Sequence, residues 1–148
     1  MREATVNLWD CHAQGIIVAV TTNGAVTRAG VAVMGKGCAK EAAARFPALP
    51  VRLGLRLRTE GNRLYWWPDY RLVTFPTKHD WRDRTADLAL IQRSASALRD
   101  LIDANGWSTV AVPRPGCGAG LLHWEVEVRP ILQEMWDDRV LVVHRQEI

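Results

Sequence analysis

Two glycine-rich stretches of this chain could hold an anion through their backbone. The first is Gly35, Lys36, Gly37 and Cys38, which opens an alanine-rich run; the second is Gly116, Cys117, Gly118, Ala119 and Gly120. Glycine lets a backbone come within contact distance of a ligand. The start of a helix adds N–H groups without partners and the positive end of a dipole. Each stretch therefore predicts an anion cradle, most often for phosphate, and two cradles favour one ligand held from two sides.

Two nucleotide-binding motifs are close to the first stretch without matching it. The segment from Gly30 to Gly37 has nearly the P-loop spacing, but Gly37 stands where that motif needs a Ser or Thr hydroxyl for Mg²⁺. The third glycine of the dinucleotide fingerprint is also missing. A plain strand-to-helix turn that needs glycine is the alternative, and it would be preferred if the first stretch stood alone.

Lys78 is the candidate catalytic side chain. It lies in Thr77-Lys78-His79-Asp80, directly after an apolar run that ends at Phe75. A neutral lysine is a nucleophile, and a charged lysine stabilises a departing oxygen. A solvated basic turn is the alternative. Because both glycine stretches are expected at the same edge of the sheet, a functional Lys78 is favoured.

Other chemistry-bearing residues give weaker signals. Asp10 follows the first predicted strand and could accept a hydrogen bond from an adenine amino group, although a turn or cap aspartate fits equally well. Trp81 and Trp124 are near the predicted site and could line it. The four histidines do not have the spacing of metal ligands, so no metal is expected. A basic stretch, Arg52, Arg56, Arg58 and Arg63, is either a solvated face or a nucleic-acid contact.

Apolar runs and turn signals predict the elements that position these residues. Strands are predicted at 4–8, 16–22, 63–67, 70–75, 109–112 and 139–144, and helices at 36–45, 85–105 and 126–136. The turn at Pro68-Asp69 predicts a hairpin. No element is assigned to 51–62. This alternation predicts an α/β fold with a largely parallel sheet and helices on both faces, and with both glycine stretches at the carboxyl edge.

Composition indicates an ordinary globular protein. The chain has 148 residues, 48% apolar and 24% charged, which fits one domain over 1–148 with its own core. The net charge of +3 is compatible with a polyanionic partner. Three cysteines without metal spacing are expected to be reduced, as in the cytoplasm. We expect no signal peptide and no membrane span.

Taken together, these motifs resemble the macrodomain family of ADP-ribose-binding modules. The resemblance is carried by the first glycine loop, by Phe75-Pro-Thr-Lys78, and by the second loop through Leu122-His-Trp124, in the family's order. Thr77-Lys78 is similar to the catalytic lysine context of the branch that holds DarG antitoxins and terminal ADP-ribose glycohydrolases. Gly120 stands where the terminal glycohydrolase pattern has an aspartate, as in the DarG-like pattern. The fold implied is a three-layer α/β/α sandwich around a mixed, largely parallel sheet.

The resemblance also implies a ligand and a reaction. Asp10 would meet the adenine, Asn23 would approach the distal ribose, and Lys78 would act at its C1″ carbon. The diphosphate would lie between the loops, against Gly35, Lys36, Gly37, Cys38, Gly116, Cys117, Gly118, Ala119, Gly120 and Leu121. The implied activity is a glycohydrolase that removes ADP-ribose from DNA or protein, with an ADP-ribosyltransferase toxin as a possible partner. The alternative is a non-catalytic ADP-ribose reader. We expect a cytoplasmic monomer without a cofactor.

One segment departs from the family pattern. The chain between Asn23 and the first glycine loop, Gly24 to Gly30, is longer than the family usually has. The resemblance would place this segment near the distal ribose and the leaving group.

Overall fold

The computed structural model describes residues 1–145, which form one six-stranded sheet. The strands are β1 (Arg2–Thr5), β2 (Ile17–Asn23), β3 (Tyr65–Trp67), β4 (Leu72–Lys78), β5 (Val110–Pro113) and β6 (Val140–His144). Their order is β1-β6-β5-β2-β4-β3. All neighbours pair in parallel except β3 and β4, which form the predicted antiparallel hairpin. The mixed, largely parallel sheet is confirmed.

Five helices cover the two faces of the sheet. They are α1 (Leu8–Ala13), α2 (Gly37–Arg45), α3 (Leu49–Glu60), α4 (Leu88–Asn105) and α5 (Arg129–Met135). Val18 and Val20 of β2 pack with α1, α2 and α3, whereas Ala19 packs with α4 and α5. Alternate residues of a strand point to opposite faces, so the two cores confirm the three-layer α/β/α architecture. Within residues 1–145, no helix has both the length and the apolar character needed to cross a membrane.

Two helices were not predicted, and one of them corrects the environment of Asp10. The strand predicted at 4–8 ends at Thr5, because the Asn7 side chain accepts a hydrogen bond from Trp9 N at 2.8 Å and begins α1. Asp10 therefore lies within α1, where it is exposed, and does not follow a strand. Helix α3 occupies most of the unassigned basic stretch.

The other elements differ from prediction only at their ends. Helix α4 begins at Leu88, because the Asp87 side chain accepts a hydrogen bond from Ala89 N at 2.9 Å. A π-helical turn, Trp124–Val128, leads into α5, and Pro130 lies in the first turn of α5, where a proline is tolerated. Strand β4 continues past Phe75 to Lys78, which lies opposite Asn23 of β2. The candidate lysine is thus the last residue of a central strand.

Candidate active site

A cavity of about 610 Å³ opens at the carboxyl ends of β6, β5, β2 and β4. It brings together ten of the thirteen residues expected at the site: Asn23, Gly35, Lys36, Gly37, Cys38, Lys78, Gly116, Gly118, Ala119 and Gly120. The other three, Asp10, Cys117 and Leu121, are not among its lining residues. The sheet edge therefore assembles both glycine loops and the candidate lysine around one space.

The first glycine loop presents uncapped backbone to the cavity. Helix α2 begins at Gly37, and the preceding Lys36 has an extended backbone and no side-chain capping bond. The N–H groups of the first helical turn have no intrahelical partner, so they are available as donors. A Cβ added at Gly35 or Gly37 would meet nothing within 4 Å. Together with the helix dipole, this arrangement favours an anion at the start of α2.

The second glycine loop is packed tightly at both ends and open in its middle. Gly116 has φ +75°, and a Cβ there would lie 2.8 Å from the Ile91 side chain. A Cβ at Gly120 would lie 2.5 Å from the Gly116 carbonyl oxygen, whereas one at Gly118 would meet nothing within 4 Å. Leu121 adopts φ +60°, a left-handed conformation that is strained for leucine. The close approach at Gly120 leaves no room for an aspartate at that position.

Lys78 bridges the end of β4 and the second glycine loop. It is half-buried, and its Nζ donates a hydrogen bond to the carbonyl oxygen of Ala119 at 3.2 Å. The nearby Arg82 is committed elsewhere, because its side chain makes two hydrogen bonds of 3.0 Å to Asp80. These bonds hold the pKa of Asp80 at about 2. Lys78 is therefore the side-chain cation at this end of the cavity.

Asn23 lines the cavity, but its amide also holds the adjoining loop. Its Nδ2 donates to the carbonyl oxygen of Val33 at 3.0 Å, and its Oδ1 accepts from Ala25 N at 2.9 Å. Each amide atom retains one further hydrogen-bonding position. A contact between Asn23 and the distal ribose stays a prediction.

The long segment from Gly24 to Gly30 folds away from the cavity onto α3. Arg58 donates hydrogen bonds to the carbonyl oxygens of Thr27 and Arg28, at 2.9 and 3.3 Å. A Cβ at Gly54 would overlap the Gly30 carbonyl, so the helix and the segment are in close contact. The cavity wall passes from Asn23 to Val33 without any residue of the segment. In the described structure the segment does not reach the space expected for the leaving group.

The two cysteines of the loops are poor nucleophiles. The Cys38 sulfur lies 3.4 Å from both the backbone nitrogen and the Oγ1 of Thr21, and burial raises the pKa of its thiol. Burial also raises the pKa of the Cys117 thiol, to about 11. Only a thiolate attacks or binds a metal, so both side chains are inert near neutral pH. Within residues 1–145, no cluster of His, Cys, Asp and Glu could hold a metal ion.

The residues that line the cavity at the end farthest from Lys78 were not predicted from the sequence. This end is lined by Val6, Leu8, Glu41, Val143, His144 and Arg145. Glu41 of α2 forms an ion pair with Arg145 at 2.5 Å. In the sequence, these residues were marked only by their positions near the ends of strands and helices. Trp81 lines the opposite end and is 53% exposed, whereas Trp124 lines an adjoining groove.

Comparison with solved structures identifies this arrangement of sheet, helices and loops. The macrodomain of Mycobacterium tuberculosis DarG superposes with a TM-score of 0.78 and 23% identity, over 98% of this chain and 97% of that one. This protein has the macrodomain fold. The Thermus aquaticus DarG macrodomain matches with a TM-score of 0.72 and 25% identity, over 99% and 97% of the two chains.

A third similar structure was solved with a ligand. It is Thermosipho africanus DarTG in complex with ADP-ribose, with a TM-score of 0.71 and 22% identity, over 88% of this chain and 39% of that one. Compared by sequence, the chain matches no family model and no curated protein. Structure, not sequence similarity, therefore identifies the macrodomain fold.

Proposed function

We propose that this macrodomain binds ADP-ribose in the cavity and acts as an ADP-ribosyl glycohydrolase on modified DNA or protein. The support is a shared fold with DarG macrodomains, the similarity to a structure of DarTG in complex with ADP-ribose, and a cavity between two glycine loops. An ADP-ribosyltransferase toxin is the proposed source of the modified macromolecule. The proposed reaction requires no cofactor.

The strand order supports one orientation of the proposed ligand. The cavity crosses the ends of β6, β5, β2 and β4, and strands are spaced about 4.8 Å apart, so three steps span about 14 Å. The glycine loops follow β5 and precede α2, in the middle of this span. A diphosphate between them would direct one ribose toward Lys78 and the adenosine toward β6.

The observation that carries the hydrolase proposal is the position of Lys78. Its Nζ lies at the end of the cavity beside the second loop, 3.2 Å from the Ala119 carbonyl oxygen. A charged lysine there would stabilise the oxygen or nitrogen that leaves C1″, and a neutral lysine would attack C1″ directly. Either action operates in the transition state, so it accelerates the reaction without strengthening ground-state binding.

A second candidate function, an ADP-ribose reader, has its own supporting observation. Among the lining residues that the structure describes, Glu41 is the one carboxylate, and it lies near β6 in a pair with Arg145. Gly120 has no room for an aspartate. The lining residues at the Lys78 end therefore offer no carboxylate as a general base, which favours binding without cleavage.

The two functions are separated by release of ADP-ribose from two substrates, ADP-ribosylated DNA and ADP-ribosylated protein, incubated side by side. We expect the wild type to release ADP-ribose from at least one of the two substrates and Lys78→Ala to release none. The affinity of Lys78→Ala for ADP-ribose should differ from that of the wild type by less than about tenfold, or 1.4 kcal/mol. Lys40→Ala, an exposed lysine of α2, is the matched control and should retain full activity. Full activity in Lys78→Ala would refute the catalytic role, and binding without release by the wild type would establish the reader.

Borohydride trapping separates the two roles of Lys78. A covalent imine between Nζ and the opened ribose would be reduced to a stable adduct, seen as a mass increase on the Lys78 peptide. Hydrolysis with no adduct would assign Lys78 to charge stabilisation.

A further inference from the structure

A second groove continues from the cavity at the end away from Lys78. Its volume is about 960 Å³, and it shares six wall residues with the cavity, among them Arg114 and His144. Its outer wall includes Thr5 of β1 and Trp124. The proposed ligand orientation directs the adenosine toward β6, so the groove would begin beside the adenosine ribose.

Arg114 stands on the wall between the cavity and the groove. Its guanidinium carbon lies 5.3 Å from the centroid of the Trp124 ring. Its Nε has no hydrogen-bond partner within residues 1–145. In contrast, Arg129 and Arg145 nearby are paired with Glu3 and Glu41, at 2.8 and 2.5 Å. Stacking on an aromatic ring orients a guanidinium while leaving its donors for an oxyanion.

His144 adds a second nitrogen to the same wall. Its Nε2 lies 3.2 Å from the Oγ1 of Thr5, and its buried Nδ1 has no partner within the described residues. When the Thr5 hydroxyl donates to Nε2, the ring hydrogen is on Nδ1, which becomes a free donor. The two nitrogens without a partner within residues 1–145 leave hydrogen-bonding capacity on one wall for a bound group.

We propose that Arg114 and His144 form a subsite for a phosphoryl group carried by the adenosine ribose, as in ADP-ribose 2′-phosphate. The subsite rests on the proposed function, because ADP-ribose binding is what places the adenosine at this end. Arginine recognises phosphate with short, charge-assisted hydrogen bonds. Some rotation of the two side chains would direct the buried nitrogens toward the ligand.

The surrounding acids limit what the subsite holds. The carboxylate of Glu3 accepts from Trp124 Nε1 at 3.0 Å and from Arg129 at 2.8 Å, so two other side chains already occupy its oxygens. Glu125 lines the outer part of the groove. Its charge would repel a longer polyanion, so one phosphoryl group, rather than a continuing polynucleotide, fits the groove.

The test compares the calorimetric affinities of ADP-ribose and ADP-ribose 2′-phosphate. We expect the wild type to bind the phosphorylated ligand about tenfold more tightly, since a charge-assisted contact is gained. Arg114→Gln should remove this preference while still binding ADP-ribose. Arg93→Gln, an exposed arginine on α4, makes the same change of net charge and should keep the preference. His144→Gln should reduce it, and thermal unfolding verifies that each variant is folded.

The outcomes distinguish failure of the subsite from failure of the proposed function. If the wild type binds ADP-ribose but binds its 2′-phosphate equally or more weakly, the subsite is refuted and ADP-ribose binding stands. If Arg114→Gln and His144→Gln, both folded, keep the full preference, these residues are not the subsite. If neither ligand binds at millimolar concentration, the proposed function and the subsite fail together.

Discussion

The Nδ2 of Asn62 donates a hydrogen bond to the backbone carbonyl oxygen of Lys78, at 2.9 Å. This bond joins the connection that follows α3 to the last residue of β4. Gly24 N donates to the next carbonyl, that of His79, at 3.1 Å. A Cβ at Gly24 would lie 2.8 Å from both Asn62 and His79. Three chain segments therefore interlock behind Lys78 and set the direction of its side chain.

Asn62 should consequently act as a positioning residue for catalysis. Asn62→Ala leaves the Lys78 carbonyl without its donor, and such losses cost about 1–3 kcal/mol. We expect a lower kcat with ADP-ribose affinity within about tenfold of wild type, because the substitution leaves the two glycine loops proposed to bind the ligand unchanged. Asn105→Ala is the matched control, since Asn105 makes the same kind of bond, 2.9 Å to the Leu101 carbonyl, on an exposed helix end. An unchanged kcat in folded Asn62→Ala would contradict the role.

In the second glycine loop, substitutions at Gly118 and Gly120 should have opposite consequences. A side chain at Gly118 would extend into open space, whereas one at Gly120 would collide with the Gly116 backbone. Gly118→Val should therefore keep the thermal stability of the wild type but weaken ADP-ribose binding, because the side chain would occupy the diphosphate position. Gly120→Val should lower the unfolding temperature. Thermal unfolding and calorimetry test the pair, and normal ADP-ribose affinity in Gly118→Val would mean that this loop does not hold the diphosphate.

The arginines of α3 are occupied by intramolecular contacts. Arg52 pairs with Asp69 at 2.7 Å, Arg56 with Glu60 at 2.9 Å, and Arg58 with the carbonyl of Thr27 at 2.9 Å. We expect replacement of all three by glutamine to leave the salt dependence of DNA binding unchanged. A phosphate contact would instead reduce the slope of log K against log salt by nearly one per residue lost. Titration of a single-stranded oligonucleotide at several salt concentrations measures the slope.

The lowered pKa of Asp137 predicts that the folded protein loses stability in acid. Hydrogen bonds from Arg139, at 3.0 and 2.9 Å, hold the pKa of Asp137 at about 2, below its ordinary 3.8. A carboxylate with a lowered folded pKa stabilises the fold above its unfolded pKa, and this contribution is lost as the pH falls through the folded pKa. Urea unfolding between about pH 5 and 2 should therefore show a weaker pH dependence in Asp137→Asn than in the wild type. Asp100→Asn, an exposed position on α4, should keep the wild-type dependence.

Local patterns in the sequence were sufficient to predict the parts of the candidate site that lie next to strand ends. Both glycine loops, helix α2 and the β3–β4 hairpin are encoded by short-range signals: glycine spacing, β-branched runs and the turn at Pro68-Asp69. Parallel strands direct their carboxyl ends to one edge, so the meeting of the loops with Lys78 followed from the order of elements. This is why ten of the thirteen expected residues line one cavity.

Tertiary contacts decided what those local patterns left open. Helix α3 contains Pro50 and Gly54, both weak helix formers, and it exists because its Leu49 and Leu53 are buried and its glycine allows close packing on Gly30. The Asn62–Lys78 bond and the Arg114–His144 wall join residues 16 and 30 positions apart, which no local pattern specifies. Asp10 was placed wrongly because a single side chain, that of Asn7, ends the strand region and begins α1. The sequence by itself determined which loops lie at the carboxyl edge of the sheet, and the packing of distant segments determined which side chains line the cavity there.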